Sequence, residues 1–230
     1  MIEDIEVQSC NLTRSNLYIR KLKLSPNNTQ SCSFIHLDAT LYFHFDCVGN
    51  ESSLWVKMAF LSEVSKLARY FSQGDGTLKE RRFILAIPLF VMSVIEKELV
   101  LFVACLHAKN ISLVIDVGNF QANKLPLVCK LVEQGVVFSM RVADWSQIKN
   151  GIFPGVQFFD YVRITAPRCI GDEVYPFIDL AFELKEHFGL EVIVERLQSR
   201  TQLCIAKNVP YYGLLGDFIY KAKSLDREIV

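Results

Sequence analysis

The sequence predicts an α/β protein whose mostly parallel strands close into a (β/α) barrel. Strand-like and helix-like segments alternate along the chain, an order that favours parallel strands joined by helices. The length of 230 residues lies near the lower size limit of such a barrel. The alternative is an open doubly wound sheet, but no glycine-rich phosphate-binding motif follows a predicted strand. We expect one barrel domain over residues 1–230, with residues 1–16 as an N-terminal extension.

The first two predicted strands lie near the N-terminus. Residues 17–24 alternate apolar and basic side chains, which is typical of a strand with one exposed face. Residues 25–28 have the composition of a turn, and a second strand-like run covers residues 33–45. We therefore expect these two strands to pair as an antiparallel hairpin.

The rest of the chain alternates strand and helix patterns. Segments rich in β-branched and apolar residues predict strands over residues 83–87, 111–117, 136–142, 161–165, 191–195 and 211–218. Apolar residues at helical spacing predict helices over residues 54–71, 95–108, 125–134, 173–188 and 201–207, and the charged tail 221–228 is expected to add a last helix. Gly135 and Gly189 each follow a predicted helix, at the position where glycine commonly ends one.

Charge and cysteine content restrict the partners and the compartment. Lys plus Arg and Asp plus Glu both number 25, so the formal net charge is zero. The chain as a whole offers no basic excess to a phosphate backbone, and we expect no direct nucleic-acid partner. The seven cysteines include no C-x-x-C pair, which argues against a zinc site or a disulfide framework and for a reducing cytoplasm.

The sequence predicts neither a membrane segment nor a signal peptide. The apolar residues 83–95 are interrupted by Pro88 and followed by three charged residues, whereas a spanning helix needs about 20 apolar residues with few charges. Residues 1–8 are acidic and lack the basic and apolar regions of a signal peptide. We expect a cytoplasmic protein without a membrane partner.

Three segments of the C-terminal half share their order and spacing with one known family. Residues 159–164 read FDYVRI, residues 190–199 read LEVIVERLQS, and residues 215–221 read LGDFIYK. They resemble the F-D-Y-[VI]-K-[IL]-D, G-L-x-V-I-A-E-G-V-E-T and Q-G-Y-L-F-x-K-P segments of EAL domains, the bacterial cyclic di-GMP phosphodiesterase family. Gln202 matches the glutamine that follows the second segment. The resemblance implies an EAL-type barrel whose first strand runs antiparallel to the others, in agreement with the expected hairpin.

The resemblance also locates remnants of the family's catalytic machinery. Active members hydrolyse cyclic di-GMP with two divalent metal ions, held at the C-terminal ends of the strands by carboxylates and an asparagine. The remnant positions are Asp38, Asp116, Asp144, Arg163 and Glu195. Asp38 falls on the glutamate of the E-A-L triplet and Arg163 on the catalytic lysine, whereas a shift of one residue would exchange Asp116 for Ile115. The alternative is that these acids are polar side chains at strand ends without a role.

Other positions of that machinery carry unsuitable side chains. The metal-binding asparagine falls on Pro88 or Ile87, and the first of the paired aspartates falls on Ala143. The last glutamine falls on Leu215 and the phosphate-binding arginine on Tyr42. A two-metal clamp needs most of its ligands, because it holds the ions about 3.5–4 Å apart. We therefore predict no catalytic residue, no metal, no cofactor and no phosphodiesterase activity.

A binding role remains, and the resemblance suggests its kind. Some degenerate EAL-like proteins of enterobacteria bind the master transcription activator of the flagellar genes, displace it from DNA and suppress motility. We expect this chain to be a regulator of that kind, with a protein partner and without a direct nucleic-acid contact. The alternative is a receptor that binds cyclic di-GMP without hydrolysing it, with Arg163 and Glu195 as the residues of a remnant pocket. Of the two roles we favour the protein partner and do not expect cyclic di-GMP as a ligand.

Two aromatic-rich segments, residues 153–159 and 210–215, leave a further choice open. Aromatic residues are enriched at protein interfaces, but the same side chains also fill the space between a barrel and its helices. The sequence favours packing over docking for both segments.

Overall fold

The computed structural model describes residues 17–26, 32–37, 52–73, 82–87, 89–119, 125–142, 155–221 and 223–224. Its strands are β1 (Leu17–Lys21), β2 (Lys23–Leu24), β3 (Cys32–Leu37), β4 (Arg82–Ala86), β5 (Ser112–Asn119), β6 (Val137–Val142), β7 (Tyr161–Thr165), β8 (Glu191–Glu195), β9 (Gly213–Leu214) and β10 (Lys223–Ser224). Its helices are α1 (Ser52–Gln73), α2 (Leu89–Val94), α3 (Glu96–His107), α4 (Leu125–Glu133), α5 (Val174–Phe182) and α6 (Arg200–Ala206). A 3₁₀ turn covers Val156–Phe158, and a π-helical turn, Glu183–His187, continues α5.

One sheet contains all of these strands, in the order β10-β1-β3-β4-β5-β6-β7-β8-β9-β2. Strands β3 to β9 run parallel to one another, whereas β1 pairs antiparallel with β3. Only Leu22 separates β1 from β2, which pairs with β9. The two sides of the curled sheet therefore meet along one N-terminal segment. This confirms the predicted α/β barrel with an antiparallel first strand.

The inside and the outside of this sheet form two separate cores. Side chains alternate between the faces of a strand: in β5, Val114 joins the inner cluster while Ile115 packs outward against the helices. Because both faces are buried, the parallel strands read as nearly continuous apolar runs. The same alternation turns Asp116 into the barrel, where it contacts Ser139 and Arg163, while Ile115 lies on the opposite face.

Most element boundaries agree with the sequence to within a few residues. Gly135 and Gly189 have the positive φ values of 83° and 70° that favour glycine at the end of a helix. Helix α2 was not predicted, because its six residues are too few to show helical periodicity. Of the strand expected over residues 33–45, the part beyond Leu37 lies outside the described residues, as do residues 1–16.

The expected helix over residues 221–228 is wrong where the structure describes it. Lys223 and Ser224 form β10, which pairs antiparallel with Ile19 and Tyr18 of β1. This pairing gives hydrogen-bond partners to the N–H and C=O groups along the edge of β1 that does not face β3. Such a tertiary contact outweighs a weak local preference for helix.

Candidate functional site

Four adjacent parallel strands bring polar side chains to one end of the barrel. Strands β5 to β8 are neighbours in the sheet, and their C-terminal ends lie at the same rim. The inward positions near this rim are occupied by Asp116, Arg141, Arg163 and Glu195, which we call the arginine–carboxylate cluster. The register places Arg141 directly beside Arg163 and Thr165 beside Glu195. The cluster is therefore built by strand alternation together with sheet order.

Arg163 lies at the centre of the cluster and joins three strands. Its Nε donates to Asp116 Oδ2 over 2.7 Å and its Nη2 donates to Asp116 Oδ1 over 2.6 Å. Its Nη1 donates to Glu195 Oε2. The planar guanidinium thus binds one carboxylate with two parallel hydrogen bonds and a second carboxylate with another nitrogen, an arrangement that lysine cannot reproduce.

The carboxylate of Asp116 accepts a full set of hydrogen bonds. Besides the two from Arg163, Ser139 Oγ donates to Oδ2 over 2.8 Å and the Gly118 amide donates to Oδ1 over 3.0 Å. Gly118 has a φ of 65°, a backbone conformation that favours glycine and folds the chain back onto the aspartate. An ionised carboxylate has about four acceptor sites, so Asp116 has none left for another ligand.

Glu195 lies between arginines on two sides. Its Oε1 lies 2.7 Å from Arg141 Nε, in ion-pair contact but without the alignment of a hydrogen bond. Arg196 Nε lies 3.9 Å from the same oxygen. Side-chain exposure rises from 11% for Arg163 through 20% for Arg141 to 59% for Arg196. Positive charge therefore extends from the barrel interior towards the solvent.

The charges inside the barrel compensate one another. Asp116 and Glu195 carry two negative charges, and Arg141 and Arg163 carry two positive ones. Burial by itself would lower the pKa of Arg163, but the neighbouring carboxylates of Asp116 and Glu195 outweigh this effect and raise the pKa above its usual value. The guanidinium therefore stays charged wherever the protein is folded.

Three of the sequence-predicted positions meet in this cluster. Arg163 contacts both Asp116 and Glu195, whereas Asp38 and Asp144 lie outside the described residues. Sequence reasoning missed Arg141 and Ser139. The sequence did contain an indication of both residues. Ser139 and Arg141 are the polar residues of an otherwise apolar strand, and because they are two positions apart they lie on the same face of it.

The described part of the cluster does not fit the divalent ions that the resemblance implies. Asp116 has no acceptor site left, and Glu195 is engaged by Arg163 and Arg141. At an effective dielectric constant of about 20, two unit charges about 4 Å apart interact by about 4 kcal/mol, and a dication beside either guanidinium would meet twice that repulsion. Among the described residues, no group of three or more His, Cys, Asp or Glu side chains could hold a metal ion.

A second polar group lies at the opposite end of the barrel, where β4 and β7 begin. Arg82 Nη1 donates to the hydroxyl of Tyr161, and the Arg82 guanidinium carbon lies 5.7 Å from the centre of that ring. The rings of Tyr161 and Tyr212 meet edge to face with centroids 5.2 Å apart. Burial raises the pKa of Tyr161 to about 12, although the nearby Arg82 opposes the shift. This end of a barrel commonly serves stability rather than chemistry.

The described residues of the two aromatic-rich segments are mostly packed. Phe159, Tyr212 and Leu215 are buried, in agreement with the packing expectation, while residues 153 and 154 lie outside the described part. Exposed apolar surface lies elsewhere, beside a groove of about 440 Å³ between α5 and α6. Ile170 in that groove is 82% exposed, and Tyr175 on α5 is 76% exposed.

Comparison with known proteins identifies the class of fold. No protein-family model matches the sequence, and no curated protein matches it. Solved structures with EAL domains match almost the whole chain. The YkuI protein of Bacillus subtilis, solved with its substrate c-di-GMP and calcium, has a TM-score of 0.66 and 11% identity, with 95% of this chain and 60% of that chain covered.

Isolated EAL domains match over nearly their full length. The FimX EAL domain of Pseudomonas aeruginosa bound to c-di-GMP has a TM-score of 0.64 and 11% identity, covering 91% of this chain and 90% of that one. The EAL domain of Mycobacterium smegmatis DcpA has a TM-score of 0.60 and 12% identity, with 94% of each chain covered. The chain therefore has the fold of an EAL domain. Within the described part, none of the helices combines the length and the apolarity that a bilayer crossing requires.

Proposed function

We propose that this chain is a non-catalytic EAL-fold protein that regulates other proteins by binding them. The observation that carries the proposal is the pairing of Arg163 with both Asp116 and Glu195. Metal-assisted hydrolysis of a phosphodiester needs acidic side chains with free acceptor sites for the ions. Here the acceptor sites of Asp116 are occupied by hydrogen bonds from the protein, and Glu195 is held by arginines.

A hydrolysis assay tests the non-catalytic part. Incubation of the protein with cyclic di-GMP and Mg²⁺ or Mn²⁺ should yield no more linear product than buffer alone. The matched pair of variants is Glu195→Ala in the cluster and Glu191→Ala at the other end of the same strand. Linear product that forms with the natural chain and with Glu191→Ala, but not with Glu195→Ala, would contradict the proposal.

For the partner, we propose the master transcription activator of the flagellar genes, with repression of flagellar gene expression and motility as the outcome. The support is the resemblance to degenerate EAL-like proteins and the exposure of Ile170 and Tyr175 beside an apolar groove, because large exposed apolar side chains are common at protein interfaces. The action would take place in the cytoplasm, where the cysteines stay reduced.

Co-purification followed by a gel-shift assay tests this partner. The activator should be retained by the chain and should lose its promoter DNA as the chain is added. Tyr175→Ser should weaken this effect more than Tyr211→Ser, which alters a half-buried tyrosine on another part of the surface. Absence of binding by the natural chain removes this target and leaves the non-catalytic assignment intact.

The second candidate is a receptor that binds cyclic di-GMP without hydrolysis. The observation in its favour is the series of arginines at the barrel rim, since Arg141 and Arg196 present positive charge towards solvent, and several of the structures with this fold contain c-di-GMP. Calorimetry with the dinucleotide decides between the two. Absence of heat at high micromolar concentration would eliminate the receptor, whereas binding that is lost in Arg196→Ala would favour it.

A further inference from the structure

Helix α5 carries apolar side chains on its outer face as well as on its inner face. Phe177 and Leu180 are buried in the core between the helices and the sheet. Tyr175 and Phe182 are exposed, and their spacing of seven residues sets them on one face of the helix. Asp179 is the single charged residue among the nine of α5. Since a helix that is apolar all round is normally covered all round, the outer face of α5 is suited to contact with another protein.

The groove between α5 and α6, which we call the α5–α6 groove, lies beside this face. Val174 and Ile178 of α5 line one wall, together with Ile170 from the turn before the helix. These three residues follow one another at intervals of four, and Ile205 of α6 faces them. An apolar groove of this kind accepts the apolar side of a further helix, whose side chains project into it at positions i, i+4 and i+7.

Gln202 fixes the walls of the groove at the end near the barrel rim. Its side chain is buried, its Nε2 donates to the Ala166 carbonyl over 3.2 Å, and its Oε1 accepts from the Gln198 amide over 2.9 Å. Ser199 Oγ accepts from the Gln202 amide and caps α6. These bonds join the loop after β7 to the start of α6. The groove is therefore formed in the free chain, and a pre-formed surface lowers the entropy cost of binding.

The two walls of the groove differ in charge. Arg200, Cys204 and Lys207 are exposed at the spacing of one face of α6, and the two cations are roughly 10 Å apart along the helix axis. Arg200 and Cys204 line the groove itself. The exposed charges on the other side are acidic, namely Asp179 and the pair at residues 172–173. A helix that enters the groove is therefore complementary only if its flank towards α6 is acidic and its flank towards α5 is not.

We propose that the α5–α6 groove is the docking surface for one amphipathic helix of a partner protein. Apolar side chains of that helix pack against Ile170, Val174 and Ile178, and its carboxylates pair with Arg200 and Lys207. Burial of the apolar side chains supplies most of the affinity, and the charges fix the direction and the specificity of docking. The inference rests on the proposed function, because it describes the segment that a regulator of this kind would bind.

Two fluorescent peptides that differ only in charge test the inference. Both have about 15 residues, enough for a helix, with leucines at positions i, i+4, i+7 and i+11 in an alanine background. One carries glutamates along a flank of the leucine stripe, and the other carries lysines at the same positions. In fluorescence polarisation, the natural chain should bind the glutamate peptide about tenfold more tightly than the lysine peptide. Arg200→Glu should abolish or reverse this preference, because it places a like charge beside the glutamates.

Ile170→Ser and Leu101→Ser are the matched pair of variants. Each replaces an exposed apolar side chain, Ile170 in the groove and Leu101 on α3. Ile170→Ser should weaken binding of the glutamate peptide about fivefold through the loss of apolar contact. Leu101→Ser should bind that peptide as the natural chain does.

Four outcomes would overturn the inference. These are no binding of either peptide, equal binding of both peptides, equal effects of the two serine variants, and a natural dimer that Ile170→Ser dissociates, since a second copy of the chain would then occupy the groove. Binding of the flagellar activator separates the inference from the proposed function. If the natural chain and Ile170→Ser bind the activator equally, the groove is not its docking surface, but the regulator stands. If the activator does not bind while the preference for the glutamate peptide holds, the activator is removed and the groove stands.

Discussion

Replacement of Asp116 by asparagine should destabilise the protein far more than its single-atom change suggests. The side chain is buried and accepts hydrogen bonds from Arg163 Nε, Arg163 Nη2, Ser139 Oγ and the Gly118 amide. An asparagine oxygen offers two acceptor sites, and its NH₂ group presents hydrogens to the remaining donors. At least two donors therefore lose their partner, and the negative charge that compensates Arg163 is lost as well.

The magnitude follows from these losses. A buried donor or acceptor without a partner costs about 1–3 kcal/mol, and a buried ion pair with one partner removed costs about 3–5 kcal/mol. Since Glu195 still compensates Arg163, we expect the lower end, about 3 kcal/mol of unfolding free energy. In a domain of this size that corresponds to a fall in melting temperature of roughly 6–12 °C.

Urea denaturation followed by circular dichroism measures this loss. The matched control is Glu191→Gln, which removes a carboxylate charge from an exposed pair with Lys185 and should cost at most about 1 kcal/mol. A loss for Asp116→Asn no larger than that of the control would refute the reasoning, because it would mean that the cluster is not the closed network that the structure shows.

Two further predictions concern other parts of the barrel. Because burial raises the pKa of Tyr161 to about 12 from the usual 10.0, the folded state keeps its proton longer than the unfolded state. The contribution of Tyr161 to the free energy of unfolding should therefore be fully present below pH 10 and should fall as the pH rises towards 12. The urea midpoint measures this dependence. It should become weaker in Tyr161→Phe and stay the same in Tyr175→Phe, which alters an exposed residue. Gly216→Ala should cost about 1–3 kcal/mol or more, because the new Cβ would lie 2.2 Å from the backbone oxygen of Leu197, whereas Gly171→Ala, with no atom within 4 Å, should be close to neutral by thermal unfolding.

The strands could be predicted from the sequence because the barrel buries them on both faces. Runs such as β7 and β8 are short, apolar and bounded by turn residues, and their observed limits, Tyr161–Thr165 and Glu191–Glu195, coincide with the predicted ones. The pairing of β10 with β1 could not be predicted, because it depends on a neighbour about 200 residues earlier in the chain and not on local preference.

Three of the four residues of the arginine–carboxylate cluster could be predicted from the sequence, and the fourth, Arg141, could not. Arg163 and Glu195 follow from the resemblance to EAL domains, since each falls on a polar position of a recognisable segment. Asp116 lies outside those segments and was placed only to within one residue. The role of Arg141 depends on the register of β6 against β7, which sets it beside Arg163 and within reach of Glu195. Register between parallel strands is fixed by long-range packing, and a resemblance that compares positions one by one does not reveal it.

The balance of charges indicates that the four residues of the arginine–carboxylate cluster depend on one another. Buried carboxylates without partners would carry a large cost in stability. Instead, the acids Asp116 and Glu195 are matched by Arg163 and Arg141, and the acceptor sites of Asp116 are filled. A buried ion pair adds little stability compared with apolar side chains of the same size, but loss of one member is strongly destabilising. The four residues therefore constrain one another, and their mutual pairing holds this end of the barrel together.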